Sequence, residues 1–65
     1  MVSRADIGHR VQDAQGRTGI LRDIDPTWED PSHLPYDRRQ QMVAFISPEQ
    51  GGREWHADPT TVKRA

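Results

Sequence analysis

Residues 42–58, MVAFISPEQGGREWHAD, decide the fold, because they have the pattern of a complete β-hairpin. Residues 42–46 are continuously apolar, which is typical of a strand covered on both faces. Residues 48–52 hold one proline and two glycines, and these residue types favour a tight turn. A short return strand over residues 53–57 then carries Trp55. We expect Trp55 to lie at the core or its margin.

A second, similar unit lies earlier in the chain, at residues 8–25, GHRVQDAQGRTGILRDID. It has two segments with alternating apolar residues around a short turn, which again predicts a hairpin. Strict alternation places Ile20 and Ile24 on one face of its second strand, with Leu21 on the other. Gly19 predicts a kink or bulge there, because glycine inside a strand often marks one.

Residues 26–39 have a different composition and predict a long irregular loop between the hairpins. Pro26, Pro31 and Pro35 fall within ten residues. Proline cannot donate a backbone hydrogen bond, so this spacing disfavours both a helix and a paired central strand. Long ordered loops in small domains tend to carry function.

The pattern as a whole predicts an all-β protein with four to five short antiparallel strands, closed or half closed into a small barrel. Asp58 followed by a proline predicts a capped, short 3₁₀ turn near residues 59–62. We expect residues 1–65 to form one domain, with flexible ends at residues 1–6 and 63–65. A chain of this length hides only about 60% of its unfolded surface, so its stability is marginal.

The order of these elements resembles that of the SH3-like barrels. In that group a G-x-x-V strand leads through a turn to a G-x-V/I strand, and a long loop, a tight hairpin and a 3₁₀ turn follow. The corresponding segments here are residues 8–11 (GHRV), 16–20 (GRTGI), 26–39, 48–52 and 58–62. The resemblance covers nearly the whole chain and implies a small SH3-like barrel.

Members of that group bind Pro-rich peptides, modified lysines, nucleic acid or other protein domains, so the resemblance implies binding without choosing the ligand. The turn at residues 13–16 is too short to match the acidic loop of peptide-binding SH3 domains, which argues against ordinary Pro-rich ligands. Residues 45–59, FISPEQGGREWHADP, are also similar to a recurring ending of small actinobacterial proteins with no assigned activity.

Composition excludes several classes of function. There is no cysteine, which excludes disulfides and thiolate zinc sites and suits a reducing cytoplasm. The longest apolar run, residues 42–46, is far shorter than the ~20 residues of a membrane helix. With no apolar segment of a signal peptide near the start, we expect a cytoplasmic protein that does not bind membranes.

Catalysis and metal binding have little support. His9, His33 and His56 lack the spacing of a metal site, which needs three or four converging ligands. Glu54 and His56 share a strand face and could pair as acid and base, but residues two apart on an exposed strand are usually solvated. A core this small cannot enclose a typical substrate pocket of ~300–1,000 Å³. We expect no enzyme, cofactor, metal or small-molecule substrate.

The loop at residues 26–39 is the predicted binding surface for a protein partner, and the chain is then a small accessory or regulatory protein. Trp and Tyr are enriched at binding hot spots because they combine a large apolar area with a polar tip. Loops also carry binding residues more often than strands do. The predicted partner-binding residues are Trp28, Leu34, Tyr36, Arg38 and Arg39.

An alternative is nucleic-acid binding through an arginine patch, with an aromatic side chain stacked on a base. Arg17, Arg22 and Arg53 would then contact phosphates together with the arginines of the loop. The chain has nine Lys and Arg against ten Asp and Glu, a net charge of −1, so it has no basic excess to drive such binding. A homodimer is a further possible assembly.

Overall fold

A computed structural model describes residues 1–36 and 39–65 and shows a single five-stranded antiparallel sheet. The strand order is β4-β3-β2-β1-β5, and the all-β prediction is confirmed. The strands are β1 (Arg10–Gln12), β2 (Thr18–Trp28), β3 (Gln41–Pro48), β4 (Trp55–Ala57) and β5 (Lys63–Arg64). Two 3₁₀ turns, at Arg4–Asp6 and Pro59–Thr61, complete the described elements. Within these residues no helix is long and apolar enough to span a membrane.

The long strand β2 connects the two hairpins, because it pairs with β1 near its start and with β3 along most of its length. Its register with β3 shifts between Leu21 and Asp23, since these two residues pair with Ile46 and Phe45. One extra residue on β2 reverses the alternation of side chains beyond that point. Leu21 and Ile24 therefore both lie in the core, and the prediction that Ile20 and Ile24 share a face is wrong.

The bulge does not lie at Gly19, where the sequence predicted one, but Gly19 has a separate steric role. A Cβ atom at this position would lie 2.3 Å from the Ser47 carbonyl oxygen and 2.8 Å from Cγ2 of Ile46. Both atoms belong to β3, which pairs Pro48 with Gly19. Glycine is thus required for β2 and β3 to approach each other this closely.

The start of the long loop also differs from its prediction. β2 continues through Pro26 to Trp28, which pairs with Gln41, so the loop begins after Trp28 rather than at Pro26. A second register shift between Asp25 and Trp28 inserts one extra residue on β2. A bulge of this kind lets a proline sit in a paired strand, because the missing amide falls where the ladder is already interrupted.

The hydrophobic core lies on one face of the sheet and is closed by the two ends of the chain. Its buried members are Val2, Val11, Leu21, Ile24, Ala44, Ile46 and Val62, with Trp55 and Ala57 packed against them. Asp58 accepts a hydrogen bond from the Thr60 amide and caps the 3₁₀ turn Pro59–Thr61, as the sequence predicted. The amide of Val2 donates to the Pro59 carbonyl, which attaches the N-terminal residues to this turn. The flexibility predicted for residues 1–6 and 63–65 concerns motion and stays a prediction.

Candidate functional site

Three aromatic rings meet on the face of the sheet opposite the core. Trp28 contacts His56 with 4.5 Å between ring centroids and an interplanar angle of 47°. His56 also meets Phe45 edge to face at 6.4 Å, and these two residues are cross-strand partners. Because Trp28 is on β2 and His56 on β4, their rings meet across the outer face of β3. We call Trp28, Phe45 and His56 the outer aromatic cluster.

Trp28 is half-buried within this cluster and does not belong to the core. The sequence placed it in the loop, whereas it is the last residue of β2. The neighbouring Val43 is 5% exposed, although it is not a member of the core cluster. Because side chains alternate along a strand and Ala44 faces the core, Val43 faces the outer side of the sheet, where the outer aromatic cluster also lies. The outer face thus has a small apolar centre of its own.

The loop after Trp28 presents two large exposed side chains. Tyr36 is 81% exposed and Leu34 is 56% exposed. Before them, the Asp30 carboxylate accepts hydrogen bonds from the hydroxyl and the amide of Ser32, which form a local turn. These two bonds are the main reason that the pKa of Asp30 lies below its ordinary value. His33 lies 3.8 Å from the same carboxylate.

Of the remaining residues predicted to bind a partner, Arg39 is exposed and Arg38 lies outside the described residues. Nothing in the structure therefore addresses the predicted role of Arg38. Leu34, Tyr36 and Arg39 all belong to the connection between β2 and β3, and Trp28 stands at the point where that connection begins.

Trp55 lies on the core side of the sheet, at the margin of the core, and its polar atom has a partner. The indole Nε1 donates to Oδ2 of Asp13 at 3.1 Å, and the Arg17 guanidinium stands 4.8 Å from the ring centroid. Arg17 also donates through Nε to the same carboxylate oxygen at 2.8 Å. Sequence analysis identified Trp55 as a structural residue but did not identify Asp13, which is the buried acid that holds this group together.

The arginines predicted for nucleic acid do not share one environment. Arg17 is paired with Asp13, so its charge is balanced. Arg22 lines an outer-face groove together with two acids, Asp23 and Glu54. Arg53 is exposed and lies two residues before β4 begins. Three other arginines are paired with acids, as Arg4–Asp23, Arg10–Glu49 and Arg64–Asp6.

No group of three His, Asp or Glu side chains converges as a metal site within residues 1–36 and 39–65. Glu54 and His56 are both exposed on the outer face, and His56 is engaged with two aromatic rings.

A feature that sequence analysis missed lies beside the outer aromatic cluster. An open groove of about 470 Å³ runs along the first residues of β3 and the end of β4. It is lined by Gln41, Met42, Val43, His56, Ala57 and Asp58. The available signal was the Asp58–Pro59 pair, because a proline at this point prevents β4 from continuing along β3.

Comparison of the chain with protein-family models, with curated proteins and with solved structures finds no match.

Proposed function

We propose that this chain is a small SH3-like barrel that acts as a non-enzymatic binding module and engages a protein partner. The contact surface consists of the outer aromatic cluster and the exposed loop residues Leu34 and Tyr36. In this proposal the chain is a cytoplasmic accessory or regulatory protein attached to a larger partner.

The order and pairing of the strands support the barrel. A hairpin, a long connection, a second hairpin and a 3₁₀ turn come in the order that the resemblance implies. The last strand returns to pair with β1, so the chain ends beside its first strand. Two bulges bend β2, and strongly bent strands are what allow a short sheet to wrap around its core.

The exposure of Tyr36 and Leu34 is the observation that carries the function. Exposing two large apolar side chains costs hydration free energy, which a partner would recover by covering them. Trp28 begins the same connection and is half-buried on the outer face rather than in the core. Trp and Tyr are the residue types enriched in binding hot spots, and both occur in this part of the chain.

Nucleic-acid binding has less support from the same surface. Sequence-independent binding depends on cations that are free to replace counterions along the phosphates. Arg17 is paired with a buried acid, and Arg22 shares its groove with two acids. Because of these neighbours, Arg17 and Arg22 contribute little net positive potential.

The proposal is tested by capturing partners with Leu34→Ser and Tyr36→Ser variants, followed by calorimetry with the purified partner. Truncation of a hot-spot residue costs about 2 kcal/mol or more, so we expect affinity to fall about thirtyfold. Ile7→Ser is the matched control, since Ile7 is 37% exposed and lies outside the loop. Equal binding by all three variants would refute the proposed surface.

A further inference from the structure

One edge of β3 is left without a strand partner over residues 41–43. On one side, β3 pairs with β2 from Gln41 to Pro48. On the other side, β4 covers only Ala44, Phe45 and Ile46. Within residues 1–36 and 39–65, no other strand pairs with that side of residues 41–43. Backbone groups of a strand point alternately to its two sides, so this open edge presents amide or carbonyl groups that none of the described strands pairs with.

The open edge has a definite cause in the sequence. Ala44 pairs with Ala57, so a longer β4 would place Asp58 opposite Val43 and Pro59 opposite Met42. Proline has no amide to donate, and Asp58 instead caps the 3₁₀ turn that carries the chain away. Pro59 is buried and its carbonyl accepts from the Val2 amide. The turn is thus held by the core, and no strand in the described part of the chain covers this edge.

The surroundings of the open edge have the shape and polarity for an added strand. The groove of about 470 Å³ described above lies along this edge. Met42 points to the core side, is 45% exposed and also lines a neighbouring apolar groove with Met1 and Pro26. On the outer side, His56 of β4 contacts the ring of Trp28. An added strand would therefore meet apolar side chains on one face and the aromatic cluster on the other.

The charge around the open edge favours a basic occupant. Asp58 lines the groove, and Glu29 follows Trp28, which pairs with Gln41 from the opposite side of β3. Asp30 comes next in the chain, and its carboxylate is held by the hydroxyl and the amide of Ser32. Among the described residues just before the open edge, Arg39 is the only Lys or Arg. A Lys or Arg side chain on the outer face would meet these acids and could stack on Trp28.

We propose that the partner binds by adding an extended basic segment to β3 at residues 41–43, antiparallel to β3 and in line with β4. This mode of binding rests on the proposed function, because it specifies how a protein partner would engage this end of the sheet. Backbone hydrogen bonds supply the alignment, and alternating apolar and basic side chains supply the selectivity.

The test uses a synthetic peptide of alternating valine and arginine, in parallel with one in which glutamate replaces every arginine. Binding is followed by the amide NMR signals of the uniformly labelled full chain. We expect the arginine peptide to shift the amides of residues 41–43 and to protect those that face the open edge, while the glutamate peptide does neither. Two further peptides carry backbone N-methyl groups on one or the other alternate set of residues. N-methylation of only one of the two sets should abolish binding, because only one alternate set of the peptide's amides faces β3.

Protein variants test the charge contribution. Asp58→Asn keeps an oxygen that can cap the 3₁₀ turn and removes the charge, and Glu29→Gln likewise removes a charge. We expect each to weaken the arginine peptide about two- to fivefold at low salt, the range of exposed charge pairs. Glu49→Gln, just beyond the opposite end of β3, is the control and should leave the affinity unchanged.

The proposal is overturned if the arginine peptide fails to bind, if its shifts lie away from residues 41–43, or if both N-methylated peptides bind equally well. These results leave the proposed function standing when Leu34→Ser and Tyr36→Ser still lose the captured partner. Conversely, peptide binding at the open edge with full partner capture by both loop variants would refute the loop surface alone.

Discussion

The buried carboxylate of Asp13 should be the most sensitive polar group in this protein. Its Oδ1 accepts from the amides of Gln15 and Arg17 at 3.0 and 2.9 Å. Its Oδ2 accepts from Nε of Arg17 and from the Trp55 indole. The Asp13 side chain is only 3% exposed, so water cannot replace these partners. Asp13→Asn keeps the shape but places an amide NH₂ group where one of the two accepting oxygens was.

The loss in the free energy of unfolding depends on which hydrogen bonds of Asp13 the asparagine can still make. The amide oxygen of asparagine can still accept from the two backbone amides, while its NH₂ group faces the donors of Arg17 and Trp55. Leaving the indole donor unsatisfied costs about 1–3 kcal/mol. Losing the pair with Arg17, which is half exposed, costs at most about 1 kcal/mol. We expect Asp13→Asn to lower the free energy of unfolding by about 1–4 kcal/mol, a large part of the stability of a chain this small.

Urea unfolding followed by circular dichroism and tryptophan fluorescence measures this loss. In a domain of this size the melting temperature should fall about 4–8 °C per kcal/mol. Arg17→Met is the matched variant, because it retains an apolar stem over Trp55 and leaves the indole bonded to Asp13, while it removes the half-exposed charge and its Nε hydrogen bond. It should lose no more than about 1 kcal/mol. If Asp13→Asn were as stable as the wild type, or no less stable than Arg17→Met, the account of this carboxylate would be wrong.

Two further outcomes follow from the packing and the charges. Gly19→Ala should lower the free energy of unfolding by about 2–3 kcal/mol, since the new Cβ would overlap the Ser47 carbonyl oxygen. The comparison variant is Gly51→Ala, whose Cβ meets no atom within 4 Å but whose φ of +83° costs an alanine about 1–2 kcal/mol, so Gly19→Ala should be the less stable of the two. Thermal unfolding of the two variants compares them, and equal stability would contradict the steric argument. Burial raises the pKa of Asp13, but the hydrogen bonds from Arg17 and Gln15 outweigh burial and the pKa is lowered overall. The ionised Asp13 therefore contributes fully to the free energy of unfolding above about pH 3.9, its unfolded pKa, and this contribution is lost as the pH falls through the lower folded pKa. The free energy of unfolding of the wild type should therefore fall more below about pH 4 than that of Asp13→Asn does.

Local patterns predicted those parts of the fold that depend on neighbouring residues. The two hairpins, the strand at residues 42–46 and the Asp58 cap all follow from alternation, turn residues and capping within a few positions. The faces of β2 could not be predicted in this way. The bulge between Leu21 and Asp23 exists only because β2 pairs with β3, more than 20 residues away in the chain. Strict alternation therefore placed Ile20, rather than Leu21, on the face of Ile24.

The candidate site was predicted only in part, because some of its contacts depend on strands that are distant in the sequence. The residue types of the loop indicated exposed aromatic and apolar side chains, and Leu34 and Tyr36 are exposed. The ring contact of Trp28 with His56 depends on strand order and register, which no local pattern contains. Asp13 was missed as well, because its partner Trp55 lies in the other hairpin.

Two prolines explain why both proposed binding features lie at the same end of the sheet. Pro26 lies where the pairing of β2 with β3 shifts register, two residues before Trp28 ends the strand. Pro59 prevents β4 from continuing beyond this end of the sheet, so β4 leaves the open edge of β3 uncovered. The open edge begins at Gln41, which is the residue that pairs with Trp28. At the other end of β3, Ser47 and Pro48 still pair with β2, and the chain then turns through residues 49–52. The irregular end thus carries exposed side chains and unpaired backbone together, and these are the two kinds of group that a protein partner can satisfy at once.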